Sequence, residues 1–253
     1  MANKKLLGYL AAIITVSIWA AFLVGTRFAI TKNFTVEEIL ILRLIPAALI
    51  MAPLMFKFGI LPPGDYFITK IIFALGASAL FPWILSMGLY YAPASNAGAL
   101  APGTLPFWTT LIAYFITREN PEILRKIGLF IILFGAVLIG IFQLDTNFGN
   151  QTWFGNILFL IGAALWAIYS VLFRQSGIPP FHGLVIGLFW GSIIFVPTLV
   201  IFGDVSFKHA SVTNIVLMII LHSVIIGILA MLLFTYAVNQ LGAAQTAAFG
   251  AIT

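Results

Sequence analysis

The sequence predicts an all-α polytopic membrane bundle, an inverted repeat of two five-span halves with about nine of roughly ten expected spans present. Three observations predict it. Hydrophobic residues make up 62% of the 253-residue chain and charged residues 8%, and the mean hydropathy is +1.14. A soluble domain carries about 25% charged residues, and this chain has too little polar surface to cover its apolar groups, so lipid must be its main solvent. Long apolar runs recur with short gaps, each run close to the roughly 20 residues that cross a bilayer. The first run also reappears in the sixth, identical at several positions.

The runs fall at 6–30, 36–56, 67–91, 95–117, 125–142, 153–174, 182–202 and 212–238, and a ninth begins near Gly242 and runs to Thr253. Turn chemistry marks the gaps: Leu61-Pro62-Pro63-Gly64, Ala92-Pro93, Asn120-Pro121, Asn147 to Asn150, and Gly177 to Pro180. Leu6 to Ile30 is too long for the apolar core of a cleavable signal peptide, and further spans follow it. Cysteine is absent, which excludes disulfides, a thiol nucleophile and a Cys-based metal site. No cofactor and no metal are expected.

The net charge of +5 does not indicate nucleic acid, because the basic residues are scattered singly between apolar runs. They read as topology signals. With the N-terminus in the cytoplasm, Lys4, Lys5, Lys57, Lys70, Arg118, Arg125, Lys126 and Arg174 fall inside, while Arg27, Lys32 and Lys208 fall outside. The positive-inside rule therefore favours a cytoplasmic N-terminus in a multi-pass cytoplasmic (inner) membrane protein. The expected partners are the lipid bilayer and a small-molecule substrate.

The repeat is carried by Gly8, Ile14, Trp19, Ala20, Val24 and Arg27, which match Gly155, Ile161, Trp166, Ala167, Val171 and Arg174 at a constant offset, with Phe22 facing Tyr169. A weaker echo pairs Tyr91 to Ala97 with Gln240 to Thr246. A unit of five spans is odd, so the second copy enters the membrane from the opposite side, the inverted topology of many carriers. The competing account is that Trp and Arg anchor two helix ends at the interface. The units read as 1–145 and 150–253, the second lacking its last spans.

These residues resemble the drug/metabolite transporter superfamily, in its ten-span EamA-type branch. The resemblance rests on Trp-Ala in spans 1 and 6 and on Leu42-Arg43-Leu44 in span 2. It also rests on the Ala-rich opening of span 4 with Pro106, Arg118-Glu119 at its end, Gly128, Gly135 and Gly140 in span 5, and Gly242-Ala243-Ala244 with Thr246-Ala247-Ala248. It implies a carrier of the cytoplasmic membrane with a central cavity between its halves, often an exporter of amino acids or other metabolites, here incomplete at its C-terminus.

The candidate site residues follow from what a bilayer tolerates. Arg43 is the only charge deep within an expected span, where it costs at least about 2.5 kcal/mol and must face protein or water. It is either an attractor for a carboxylate or a structural group bonding helix-end carbonyls. Asn96, Gly98, Pro102, Gly103, Thr104 and Pro106 crowd the opening of span 4. The prolines free carbonyls, and interrupted helix in lipid persists where it is buried or lines a cavity. The matching stretch from Gln245 to Thr253 is also rich in small and polar residues, and paired interruptions point to a transport site, although small residues also serve tight packing. Trp19, Trp83, Tyr90, Trp108, Trp166 and Tyr169 offer aromatic walls, with Tyr90 and Tyr91 suited to the interfacial belt. His222, the one intramembrane histidine, is a proton relay or a cross-helix hydrogen-bonding group. Gly183, Gly187 and Gly191 make a packing face on span 7.

All seven acidic residues, Glu37, Glu38, Asp65, Glu119, Glu122, Asp145 and Asp204, fall at span ends or in loops. The four-span multidrug pumps of the superfamily carry a Glu in span 1, where this chain reads Ala12-Ile13-Ile14-Thr15. Uniport, exchange or a coupling without a carboxylate is therefore expected. An intramembrane enzyme needs paired aspartates, a facing Ser–His pair or H-E-x-x-H, and none is present. A channel or non-transporting subunit is the other alternative, disfavoured by the inverted repeat. Arg43, Trp19, Asn96, Thr104, Trp108, Trp166, Tyr169, His222 and Gln245 are the substrate-binding candidates.

Overall fold

A computed structural model describes residues 2–61, 76–118, 120–142 and 151–253. The expected turn at Pro62-Pro63-Gly64, Lys70, Glu119, and the segment holding Asp145 and Asn147 to Asn150 lie outside them. Among the described residues the secondary structure is helical throughout. In chain order the helices are α1 (Ala2–Thr31), α2 (Val36–Phe58), α3 (Phe81–Tyr91, after the π-helical turn Gly76–Leu80), α4 (Ala94–Leu100), α5 (Leu105–Thr117) and α6 (Ile123–Phe142). There follow α7 (Thr152–Ser176), α8 (Pro180–Phe202), α9 (Val212–Met218), α10 (Met231–Leu241) and α11 (Ala243–Ala248). A π-helical stretch, Ile219–Ala230, fuses α9 and α10 into one rod, and a 3₁₀ turn, Phe249–Ile252, follows α11.

Among the described residues, six segments are long and apolar enough to cross a membrane: Lys4–Thr31, Val36–Phe58, Ala94–Ile116, Thr152–Ser176, Pro180–Phe202 and Val212–Leu241. The apolar run expected from 67 is described only from Gly76 onward. Helix α6 exposes Ile123, Leu124, Phe130, Ile131 and Phe134 along its length, a surface that lipid, not water, can cover.

Local chemistry sets the ends. Thr35 caps α2 through a capping box with Glu38, satisfying two orphan donors at once. Glu38 is buried and also accepts from the backbone N–H of Ser206 (3.1 Å) and of Phe207. One carboxylate thus ties the loop after α8 to the start of α2. Gly177 ends α7 in the left-handed conformation (φ 64°), where glycine bears no Cβ penalty.

The expected single span at 95–117 is broken. Helix α4 stops at Leu100, residues 101–104 form a turn, and α5 restarts at Leu105. Pro102 and Pro106 cannot donate to the ladder, and a Cβ at Gly103 would lie 2.3 Å from the Ala99 carbonyl oxygen. Helix α2 tolerates Pro46 and Pro53 without breaking.

Packing brings distant segments together. Helix α1 lies along α10, α2 along α8 and the π-helical stretch, α3 and α5 along α7, and α11 along α5. The α3–α7 crossing is close: a Cβ on Gly155 would meet the Gly88 carbonyl oxygen at 2.8 Å. Gly8, the repeat counterpart of Gly155, lies against Gln240 and Leu241 of α10. Arg27 donates to the carbonyls of Leu89 (2.5 Å) and Tyr90 (3.1 Å) at the end of α3. Arg174, its counterpart, donates to those of Val238 (3.1 Å) and Asn239 at the end of α10. Both arginines therefore donate to carbonyls in the last turn of a helix, where intrahelical donors run out, although the Val238 carbonyl also accepts from the Gly242 N–H.

Candidate functional site

Four aromatic rings converge where α1, α3, α7 and α10 meet. Trp19 meets Trp166 edge-on at 5.3 Å between centroids, and both contact Phe234 at 5.2 and 5.0 Å. Phe81, at the start of α3, lies 4.6 Å from Trp166. Such tilted and T-shaped contacts suit the ring quadrupoles. The two tryptophans of the repeat are thus in mutual contact at the centre of the bundle.

Beside them lies a cavity. Its wall comprises Trp19, Phe22 and Leu23 of α1, Arg43 of α2, Phe81 and Leu85 of α3, Ala101 and Pro102 at the break and Leu105 of α5. Ala163 and Trp166 of α7, Ile226 of the π-helical stretch and Met231 of α10 complete it. Its free volume for water is about 30 Å³, room for roughly two water molecules.

Among the described residues that line it, Arg43 alone is charged. The side chain is buried, and its Nη1 has no hydrogen-bond partner. The guanidinium carbon lies 5.6 Å from the centroid of Phe22. A desolvated cation–π contact contributes about 2 kcal/mol, whereas desolvating an ion costs several. Phe22 alone does not balance the charge. Glu38, one of two carboxylates in the first turn of the same helix, is committed to the backbone at Thr35, Ser206 and Phe207.

The sequence candidates divide by position. Trp19, Arg43 and Trp166 line the central cavity. Tyr169 packs in the core beyond Trp166, 5.6 Å from it and stacked on Phe173 at 5.8 Å. His222 is fully buried behind Phe22, which it meets edge-on at 5.6 Å. The cross-helix hydrogen bond considered for His222 does not form: neither ring nitrogen has a partner. Its neighbour Ser223 makes that link instead, donating to the carbonyls of Leu42 (2.5 Å) and Arg43 (3.1 Å). Asn96 is away from the cavity and donates to Asn156 Oδ1 at 2.9 Å, joining α4 to α7. The Thr104 hydroxyl returns to the Leu100 carbonyl at 2.6 Å. Thr104 and Trp108 line a separate apolar pocket of about 350 Å³ between α5, α6 and α7. Gln245 donates to the Tyr9 hydroxyl at 2.9 Å and borders an open groove with Glu122, Arg125 and Arg174.

The cavity also uses residues that sequence reasoning did not single out, chiefly Phe22, Phe81 and Met231. With 24 phenylalanines in the chain, no local signal separates these two from lipid-facing rings. The break at 101–104 touches the C-terminal segment, since a Cβ on Gly250 would lie 2.6 Å from the Pro102 carbonyl oxygen.

An all-helical, lipid-covered bundle with a charged cavity at its centre is the architecture of a membrane transporter. The EamA-like transporter family matches residues 6–141, more than half of the chain, and the chain belongs to that family. It is 26% identical over 165 residues to an uncharacterized transporter of Archaeoglobus fulgidus, across 65% of this chain and 56% of that protein. Two uncharacterized transporters of Bacillus subtilis are similar at 26% identity each. YyaM aligns over 73% of this chain and 60% of its own length, and YetK over 72% and 58%. The chain thus spans less than two thirds of the length of these relatives. A crystal structure of another protein superposes with a TM-score of 0.67 over 99% of this chain and 85% of its own, at 14% identity, a likeness of fold alone.

Proposed function

We propose that this chain belongs to a carrier that moves amino acids or related carboxylate-bearing solutes, outward across the cytoplasmic membrane, by alternating access. The observation that carries the reading is Arg43: a buried guanidinium with an unpaired Nη1, opening on a cavity whose other walls are apolar and aromatic. A solute carboxylate would balance that charge, and its apolar body would lie against Trp19, Phe81 and Trp166.

We read two inverted halves, 1–145 and 150–253. The paired roles of Trp19 and Trp166, of Arg27 and Arg174, and of Gly8 and Gly155 support the division. So does the contact of Pro102 with Gly250, which links the two interrupted segments. We place the N-terminus in the cytoplasm on the distribution of basic residues. Catalysis is not part of this reading, since the Ser223 hydroxyl beside His222 is engaged by two carbonyls.

The test is counterflow in proteoliposomes with labelled L-phenylalanine and benzoate as probes. The carrier reading expects saturable exchange that unlabelled probe accelerates. Flux that rises linearly with gradient and never saturates would point to a channel instead.

A further inference from the structure

His222 is a buried titratable group that the carrier reading leaves unused. Among the described residues both ring nitrogens lack partners, although a neutral imidazole carries one donor and one acceptor. The ring is held next to the cavity's charge. Both contact Phe22, with the Arg43 guanidinium carbon 5.6 Å from its centroid and the His222 ring edge-on to it at 5.6 Å. The two hydrogen bonds of Ser223 to the carbonyls of Leu42 and Arg43 fix this register. The stretch carrying His222 is π-helical over 12 residues, a conformation that is rare in proteins and frequent at functional sites.

Among the described residues, the other charged groups on the elements packed against this stretch are Lys4, Lys5 and Arg27 on α1 and Glu37, Glu38 and Lys57 on α2. On α1, Arg27 is bonded to carbonyls at the end of α3. On α2, Glu38 in the first turn is bonded to the backbone of Thr35 and Ser206. Val212–Met218 contains no titratable residue. On α10, Tyr236 packs beside Ala11 and Ala12. Arg43 is the charged group that faces the same ring.

We infer that His222 is the proton site of an anion–proton symport through this cavity. The inference rests on the carrier reading of Arg43. The charges balance as follows. The empty site holds one positive charge, on Arg43, with His222 neutral. A carboxylate arriving at Arg43 removes that charge, and one proton from the same side, added to the His222 imidazole, restores it. The loaded site therefore has the net charge of the empty one. Release on the other side returns anion and proton together, and the cycle is electroneutral. Binding of the two is cooperative, and thermodynamic linkage makes the cooperation reciprocal.

Benzoate is the probe, with the full chain in detergent or nanodiscs between pH 6 and 8. Binding is expected to take up about one proton per benzoate from weakly buffered solution, with affinity rising about tenfold for each unit fall in pH. In a His182→Gln, His209→Gln variant His222 is the sole histidine, and its imidazole NMR signals should change from the neutral to the protonated form when benzoate binds. In His222→Gln the affinity should not vary with pH. Benzoate binding without proton uptake, a single-histidine signal that stays neutral, or uptake that persists in both His222→Gln and His222→Asn would overturn the coupling alone. If benzoate does not bind, or binds equally well to Arg43→Ala, the reading of Arg43 itself falls and the coupling with it.

Discussion

Arg43 holds a full charge beside a ring that balances only part of it, so the residue type and its geometry matter separately. Replacing it with alanine should weaken carboxylate binding by about 10- to 150-fold, the range of charge-assisted hydrogen bonds, while the protein still inserts. Arg43→Lys should restore only part, because an ammonium cannot grip a carboxylate with two parallel bonds. Calorimetric titration with benzoate measures both, and equal affinity in wild type and Arg43→Ala would refute the assignment. The sequence made Arg43 visible because a charge inside an apolar run is rare. It did not separate Thr104 from the cavity wall, because a threonine hydroxyl can return to the carbonyl four residues back. Thr15, Thr104, Thr110 and Thr235 all do so. Polarity in the sequence therefore does not imply a polar group offered to a ligand.

At the scale of elements, two kinds of contact hold the bundle. The first is close backbone approach. At the α3–α7 crossing Gly155 has no room for a side chain, while Gly128 on α6 has nothing within 4 Å of an added Cβ. Gly155→Leu should prevent a folded, monodisperse protein, and Gly128→Leu should leave size-exclusion profile and melting temperature unchanged. Comparable behaviour of the two variants would contradict the crossing. The second kind is the arginine cap. Arg27→Gln and Arg174→Gln should each cost about 1.5–3 kcal/mol, the value of hydrogen bonds from a charged donor, seen as lowered melting temperatures of similar size. A large loss for one and none for the other would show that the caps are not equivalent. The sequence pointed to these arginines only as matched positions at the ends of two apolar runs. Their carbonyl partners lie more than 60 positions away in the chain, beyond any local pattern.

For the whole molecule the open prediction is orientation. The chain has no cysteine, so single reporters need no background removal. In intact cells Lys208→Cys should react with a membrane-impermeant maleimide, and Lys5→Cys should react only after permeabilisation. The opposite pattern would place the N-terminus outside and reverse the direction assigned to the cavity. Both side chains are exposed, so burial does not confuse the readout.

The sequence by itself determined the solvent, the helical class, the positions of most apolar runs and the family, because a bilayer imposes its requirement one residue at a time along the chain. It also marked Trp19, Trp166 and Arg43, whose types are conspicuous in lipid. Only the tertiary structure decided which of the candidates meet. It brought Trp19 against Trp166 and opened Arg43 onto the cavity. It set His222 behind Phe22 and moved Asn96, Thr104, Trp108 and Gln245 to other places. The reason is physical: hydropathy records that a helix is buried in lipid but not the angle at which it faces its neighbours. That angle follows from contacts such as Gly155 on Gly88 and Ser223 on Leu42, which the chain makes only when it is folded.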